Sequence, residues 1–178
     1  MITDKIYLVG FMASGKSTIA RALAARLRWR AEDVDDLIEA RERSTIAQIF
    51  ATQGEPYFRA VEREILALLR PIRQIAVATG GGTFAEPDNR AAINLDGVSV
   101  WIDVPLADLI PRIPLDGRRP LAANRAELER LYAARVDAYR LAHVRVQASR
   151  VPVQGVVDRV LEAVRQLPSI FDHMNLDR

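Results

Sequence analysis

The stretch IYLVGFMASGKST, residues 6–18, combines an apolar run, a glycine-rich loop and the start of a helix. Ile6, Tyr7, Leu8 and Val9 form a short unbroken apolar run, as a buried strand requires. After it, Ile19, Leu23 and Leu27 recur at helical spacing from residue 17 to about 28. Between the two, Gly10, Gly15, Lys16 and Ser17 complete the pattern G-x-x-x-x-G-K-[ST], with the strand before it and the helix after it that the pattern needs. In that setting the backbone N–H groups of the loop and of the helix N-terminus point into one concavity that suits phosphate oxygens. Lys16 neutralises the distal phosphates and the Ser17 hydroxyl reaches Mg²⁺. Gly10, Met12, Ala13, Ser14, Gly15, Lys16, Ser17 and Thr18 are therefore the candidate nucleotide-phosphate residues.

Further along, apolar spacing predicts helices over 37–50 and 57–69, parted by the turn signal Gln53-Gly54-Glu55-Pro56. Residues 75–78 read as a second apolar strand, stopped by Gly80-Gly81-Gly82, and 98–104 as a third, followed by Pro105 and a helical stretch to about Arg112. Residues 143–148 read as a final strand and 156–167 as a final amphipathic helix. Strands alternating with helices predict parallel βαβ units in a layered α/β fold, with ligands at the carboxyl ends of the strands. Residues 10–17, 33–36 and 80–82 lie there. The breaker-rich segment 114–120 reads as a mobile loop, and 169–178 as a loosely ordered tail on a single domain spanning 1–178.

Composition narrows the chemistry. A chain of 178 residues with 49% hydrophobic and 27% charged residues can bury a core without staples. The absence of cysteine excludes disulfides, thiolate catalysis and thiolate-bound zinc, and two histidines are too few for most histidine metal sites. No run reaches the roughly 18 apolar residues that span a bilayer, and no leader precedes the first strand, so we expect a cytoplasmic protein with no membrane partner. A net charge of +2 gives no strong reason to expect a nucleic-acid partner, and we expect none. Of 25 basic residues only Lys5 and Lys16 are lysines, which sets Lys16 apart; the arginine excess suits anionic small molecules or reflects a GC-rich genome.

Asp33 and Asp35 share one face if residues 33–36 are extended, and beside a phosphate site two such carboxylates suit a cation and an acceptor hydroxyl. Asp36, just before Leu37 and Ile38, reads as the helix N-cap. Arg59 falls in the first turns of a helix, where the dipole disfavours a cation and a partner is expected. Along the helix Arg63 is a like charge, which leaves a surface pair with Glu62 as the alternative to a ligand. Gly80-Gly81-Gly82 allows close backbone approach to a ligand, or makes a plain tight turn.

In order along the chain, these residues resemble the shikimate kinases from Lys5 to about Leu167. The resemblance rests on the phosphate loop with Lys16, Asp33-Val34-Asp35, Gly54-Glu55-Pro56-Tyr57-Phe58-Arg59, Gly80-Gly81-Gly82, Arg119-Pro120-Leu121, and Arg135 with Tyr139. It implies a three-layer α/β/α P-loop kinase of the nucleoside-monophosphate-kinase-like group, with a five-stranded parallel sheet and a mobile lid at about 113–124. It also implies a monomer that uses ATP and Mg²⁺ to phosphorylate the 3-hydroxyl of shikimate. By the resemblance, Asp35 holds the reacting diol and is the candidate base, Ser17 and Asp33 serve Mg²⁺, and Arg59 and Arg135 clamp the shikimate carboxylate. The backbone of Gly80, Gly81 and Gly82 meets the ring, and Lys16, Asp35 and Arg119 form the catalytic set, with Arg119 on the lid. Arg112 and Arg150 match positions flanking adenine, although either also reads as a solvated surface arginine.

The chain departs from the family pattern at Ala13 and Arg43, where glycine is common, at Asp137 and Ala122, and at Pro114 in the lid. Two further readings stay open at this point. One is a P-loop kinase acting on another small acceptor, such as gluconate or a nucleoside monophosphate; the other is a sensing module of the same fold without turnover.

Overall fold

The computed structural model describes residues 3–113 and 125–168. Five strands form one sheet, all parallel, in the order β2-β3-β1-β4-β5: β1 Lys5–Val9, β2 Arg30–Asp33, β3 Ile75–Ala78, β4 Val98–Asp103 and β5 Val144–Gln147. Central β1 is buried along its whole length and pairs Tyr7 with Val77 on one side and with Ser99 on the other. A strand covered on both faces must be a continuous apolar run, which explains residues 6–9. Among the described residues the helices are α1 Lys16–Leu27, α2 Val34–Glu42, α3 Ile46–Thr52, α4 Gly54–Leu69, α5 Pro87–Asp96, α6 Leu106–Leu109, α7 Arg125–Tyr139 and α8 Val153–Arg165, with a 3₁₀ turn at Ile110–Arg112. Helix α1 packs on β2, β3 and α8, and the apolar stripe Val156, Val157, Val160, Leu161, Val164 of α8 is buried.

The loops after β1 and β3, neighbouring strands, lead to opposite sides of the sheet. A crevice opens at such a reversal in every sheet of this kind. Here it lies between the loop that follows Val9 and the glycines that follow Ala78. At the other end of β1, Lys5 is fully buried, and its ammonium donates to the last carbonyls of α4, Leu69 O at 2.9 Å and Arg70 O at 2.8 Å, and pairs with Asp96 at 2.6 Å. Burial lowers its pKa, and the contacts with Asp96 oppose that shift. Among the described residues, no helix is long and apolar enough to cross a membrane.

The elements differ from the sequence expectation in several places, among them α4, which starts at Gly54 and takes in residues 54–56 of the expected turn. The expected helix over 37–50 is two helices, because Arg43 takes a left-handed backbone (φ 51°) and Thr45 caps α3 in a reciprocal box with Gln48. Asp33, not Asp36, is the N-cap of α2: its side chain accepts from Asp35 N at 2.9 Å, and Asp36 lies in the first turn. Residues 33–36 are accordingly not one extended segment, since β2 ends at Asp33 and α2 starts at Val34. Strand β2 and helices α5 and α7 had no reading of their own; β2 is a sheet edge with no fully buried residue, so it lacks an apolar run.

Candidate active site

The phosphate loop leaves β1 at Gly10, whose φ of 135° is open to glycine alone in practice. A Cβ there would also stand 2.8 Å from the Ile102 carbonyl oxygen. Gly15 (φ 90°) ends the loop as N-cap of α1, and no side chain caps that helix, so its first amides remain available to an anion. Ala13 is left-handed as well, with φ 60°, a conformation that favours glycine. The Lys16 ammonium curls over the loop and donates to Phe11 O at 2.8 Å. The Ser14 hydroxyl is buried with no hydrogen-bond partner among the described residues, the lone side chain of its kind there.

A cavity of about 410 Å³ opens over this loop. Met12, Ala13, Gly15, Lys16, Ser17 and Thr18 line one side, and Asp33, Asp35, Thr79, Gly81 and Arg112 line the rest. Ser17 Oγ donates to Asp33 Oδ2 at 2.5 Å, while Asp33 Oδ1 holds the Asp35 amide. No group of three or more His, Cys, Asp or Glu side chains that could hold a metal exists among the described residues. One hydroxyl and one carboxylate beside a phosphate cradle still fit Mg²⁺, which keeps waters and phosphate oxygens as most of its ligands.

The three glycines after β3 bring the remaining side chains together. A Cβ on Gly80 would stand 2.7 Å from Asp35 Oδ1; on Gly81, 3.4 Å from Arg135 Nη1; and on Gly82, 2.6 Å from Arg59 Nη2 and 3.1 Å from Arg135 Nη2. The three glycines therefore leave room for one carboxylate and two guanidiniums, and one short segment borders three side chains drawn from α2, α4 and α7.

The Arg59 side chain is 11% exposed and is held by Glu62 at 2.8 Å and Glu55 at 3.0 Å. The Glu62 pair weighed as the alternative to a ligand is therefore not a surface one: Glu62 is fully buried, and Glu55, one turn back, also takes part. Burial pulls the Arg59 pKa down, but the Glu62 and Glu55 carboxylates outweigh it and the net shift is upward. Glu62 further accepts from Thr83 Oγ1 at 2.6 Å and Asn89 Nδ2 at 3.3 Å, which fixes it as an anchor between α4 and α5. Arg135 is 7% exposed, packs 6.0 Å from the Phe11 ring, and has no carboxylate in ion-pair range among the described residues. Burial lowers its pKa, and the nearby Arg59 charge adds to that. A guanidinium this buried, next to a second one, suits a carboxylate ligand.

Arg112 lines the cavity from the 3₁₀ turn. Arg150 does not line it: the Arg150 side chain is 88% exposed, on a left-handed residue after β5, with Asp108 3.9 Å away. Arg119, Pro114 and Ala122, the rest of the expected lid from 114 onward, and the expected tail 169–178 lie outside the described residues. Asp137 pairs with Arg140 on the outer surface of α7. Glu62 and Thr83 were missed as supports of the site. Glu62 sits among the charged residues Arg59, Arg63 and Glu64, where a glutamate reads as solvated, and its only sequence signal was the three-residue spacing from Arg59.

The shikimate kinase family model matches residues 12–165. A shikimate kinase of Sulfurihydrogenibium sp. (strain YO3AOP1) is 37% identical over 162 residues, covering 90% of this chain and 98% of that protein. One from Thermosynechococcus vestitus is 40% identical over 174 residues, 95% of this chain and 92% of that one. Among solved structures, shikimate kinase from Acinetobacter baumannii in complex with shikimate superposes with a TM-score of 0.88 at 30% identity, over 93% of this chain and 96% of that one. Shikimate kinase from Aquifex aeolicus gives 0.83 at 34%, over 90% and 96%. A thymidylate kinase from Candida albicans, at 16% identity and a TM-score of 0.55 over 92% of this chain and 91% of that one, shares the fold alone. With a family model over most of its length and relatives at this identity, the chain belongs to the shikimate kinase family.

Proposed function

We propose that this chain transfers the γ-phosphoryl group of ATP to the 3-hydroxyl of shikimate, giving ADP and shikimate 3-phosphate. The observation that carries the reading is the convergence of Asp35, Arg59 and Arg135 on Gly80, Gly81 and Gly82, next to a complete phosphate loop. The donor phosphates are bound by the amides of residues 10–18 and by Lys16, which exchanges the Phe11 carbonyl for phosphate oxygens. Ser17 and Asp33 would hold Mg²⁺, which when bound neutralises phosphate charge. Arg59 and Arg135 clamp the shikimate carboxylate through paired N–H donors, and the Glu62 and Glu55 contacts keep Arg59 oriented before the substrate arrives.

That clamp turns the ring hydroxyls toward Asp35, which holds the reacting one and accepts its proton as the new O–P bond forms and the bond to the ADP oxygen breaks. Arg119 serves the transferred phosphoryl group, as the family resemblance implies. Arg112 flanks adenine, which its place on the cavity wall supports, whereas Arg150, exposed and outside that wall, has only the family resemblance behind the same role. The protein works as a monomer in the cytoplasm. The test is ADP release from purified protein with ATP, Mg²⁺ and a panel of shikimate, quinate, gluconate and nucleoside monophosphates. Shikimate is expected to give the highest rate, and a rate with shikimate no greater than with buffer would overturn the proposal.

A further inference from the structure

Tyr139 ends α7 and is 1% exposed, its ring centroid 6.0 Å from that of Trp101 on β4. A phenol at that depth needs a partner for its hydroxyl, and this one donates to the Gly81 carbonyl at 2.5 Å. Gly81 is the middle glycine of the acceptor wall. A Cβ on it would stand 3.2 Å from the Met12 amide nitrogen of the phosphate loop and 3.4 Å from Arg135 Nη1. Arg135 lies one turn before Tyr139 on the same face of α7 and is buried too. A phenylalanine would fill the same volume against Trp101, so packing alone does not account for the hydroxyl.

We infer that Tyr139 is a positioning residue for acceptor recognition: its hydroxyl pins the Gly81 carbonyl, and thereby sets the separation of the phosphate loop, the glycine wall and Arg135. It acts through Gly81 and Arg135, not on the reacting atoms, and the inference rests on the acceptor reading proposed above. Tyr139→Phe keeps the ring and leaves one buried carbonyl without its donor. Initial rates of ADP release, with shikimate and ATP varied in turn, are expected to show the KM for shikimate raised roughly tenfold. The KM for ATP and kcat should stay within about twofold of wild type. Trp101→Phe loosens the packing around the same ring without removing the hydroxyl, and should leave the KM for shikimate within about twofold.

With an analogue carrying a hydroxymethyl group in place of the carboxylate, the loss in kcat/KM on Tyr139→Phe should be smaller than with shikimate, since Arg135 then has no carboxylate to hold and only the glycine wall is left to report the change. A KM for shikimate unchanged in Tyr139→Phe, an equal rise in both KM values, or a tenfold rise in Trp101→Phe would each overturn the inference. The wild-type rate in the same assay reports on the acceptor reading, and the ratio of variant to wild type reports on Tyr139.

Discussion

Gly82→Ala is the smallest change that should separate acceptor binding from everything else. Gly82 does not have a positive φ, so an alanine meets no backbone strain there. Its Cβ, however, would lie 2.6 Å from Arg59 Nη2, 3.0 Å from Nη1 and 3.1 Å from Arg135 Nη2. To reach ordinary contact at 3.4 Å, the nearest Arg59 nitrogen must retreat by about 0.8 Å and that of Arg135 by about 0.3 Å. Arg59 is not free to yield, since Glu62 and Glu55 hold it from behind. Misplacing a substrate-orienting group by about 1 Å costs on the order of 100-fold, or about 2.7 kcal/mol. Because the phosphate loop is untouched, that loss should fall on kcat/KM for shikimate, mostly through its KM, with the KM for ATP and the melting temperature near wild type. Steady-state ADP release with each substrate varied, beside a thermal melt, measures all three. A correctly folded Gly82→Ala protein whose KM for shikimate stays within threefold of wild type would refute the assignment of this wall to the acceptor.

Other perturbations probe other parts of the account. Lys16→Met removes the one ammonium of the loop and should lower kcat by on the order of 100-fold or more while leaving shikimate affinity, read by calorimetry, within a few-fold. An equal loss in both would contradict its assignment to the donor. His143 Nδ1 accepts the Ser99 amide at 3.1 Å, and burial lowers its pKa below 6.5. Between that lowered value and 6.5 the unfolded chain binds more protons than the native one, so stability should fall as pH drops below about 6.5. His143→Gln should flatten that part of the melting profile, and parallel profiles for the two proteins would count against it. At Ala13 (φ 60°), glycine relieves roughly 1 kcal/mol of left-handed strain but adds about as much unfolded-chain entropy, so Ala13→Gly should melt within about 3 °C of wild type. Ala13→Val, β-branched in the same backbone, should melt more than about 4 °C lower, and equal melts for the two variants would contradict the left-handed assignment.

What the sequence makes legible follows how local each signal is. The strand, loop and helix from Lys5 to Leu27 can be read from neighbours alone, because burial, phosphate-loop spacing and helical period all act within a few residues. The break between α2 and α3 cannot, because it rests on Arg43 in a conformation that glycine would have announced. The cap of α2 cannot be read from neighbours alone, because Asp33 and Asp36 are both good cap residues and the end of β2 at Asp33 decides between them. Edge strand β2 carries Arg30 and Glu32 and gives no apolar run. The meeting of Asp35, Arg59 and Arg135 at Gly80–82 is a product of topology: β3 is inserted beside β1, so segments far apart in sequence share one edge of the sheet. Glu62 was hidden for the same reason, since its burial is made by Thr83 and Asn89 from outside α4.

The most direct test of the central claim is a crystal structure of the protein with ADP and shikimate. The shikimate carboxylate is expected within hydrogen-bond distance of both Arg59 and Arg135, with a ring hydroxyl on Asp35 and the ADP phosphates on the loop of residues 10–18. A shikimate carboxylate bound away from both arginines, or a ring whose hydroxyls face away from Asp35, would contradict it.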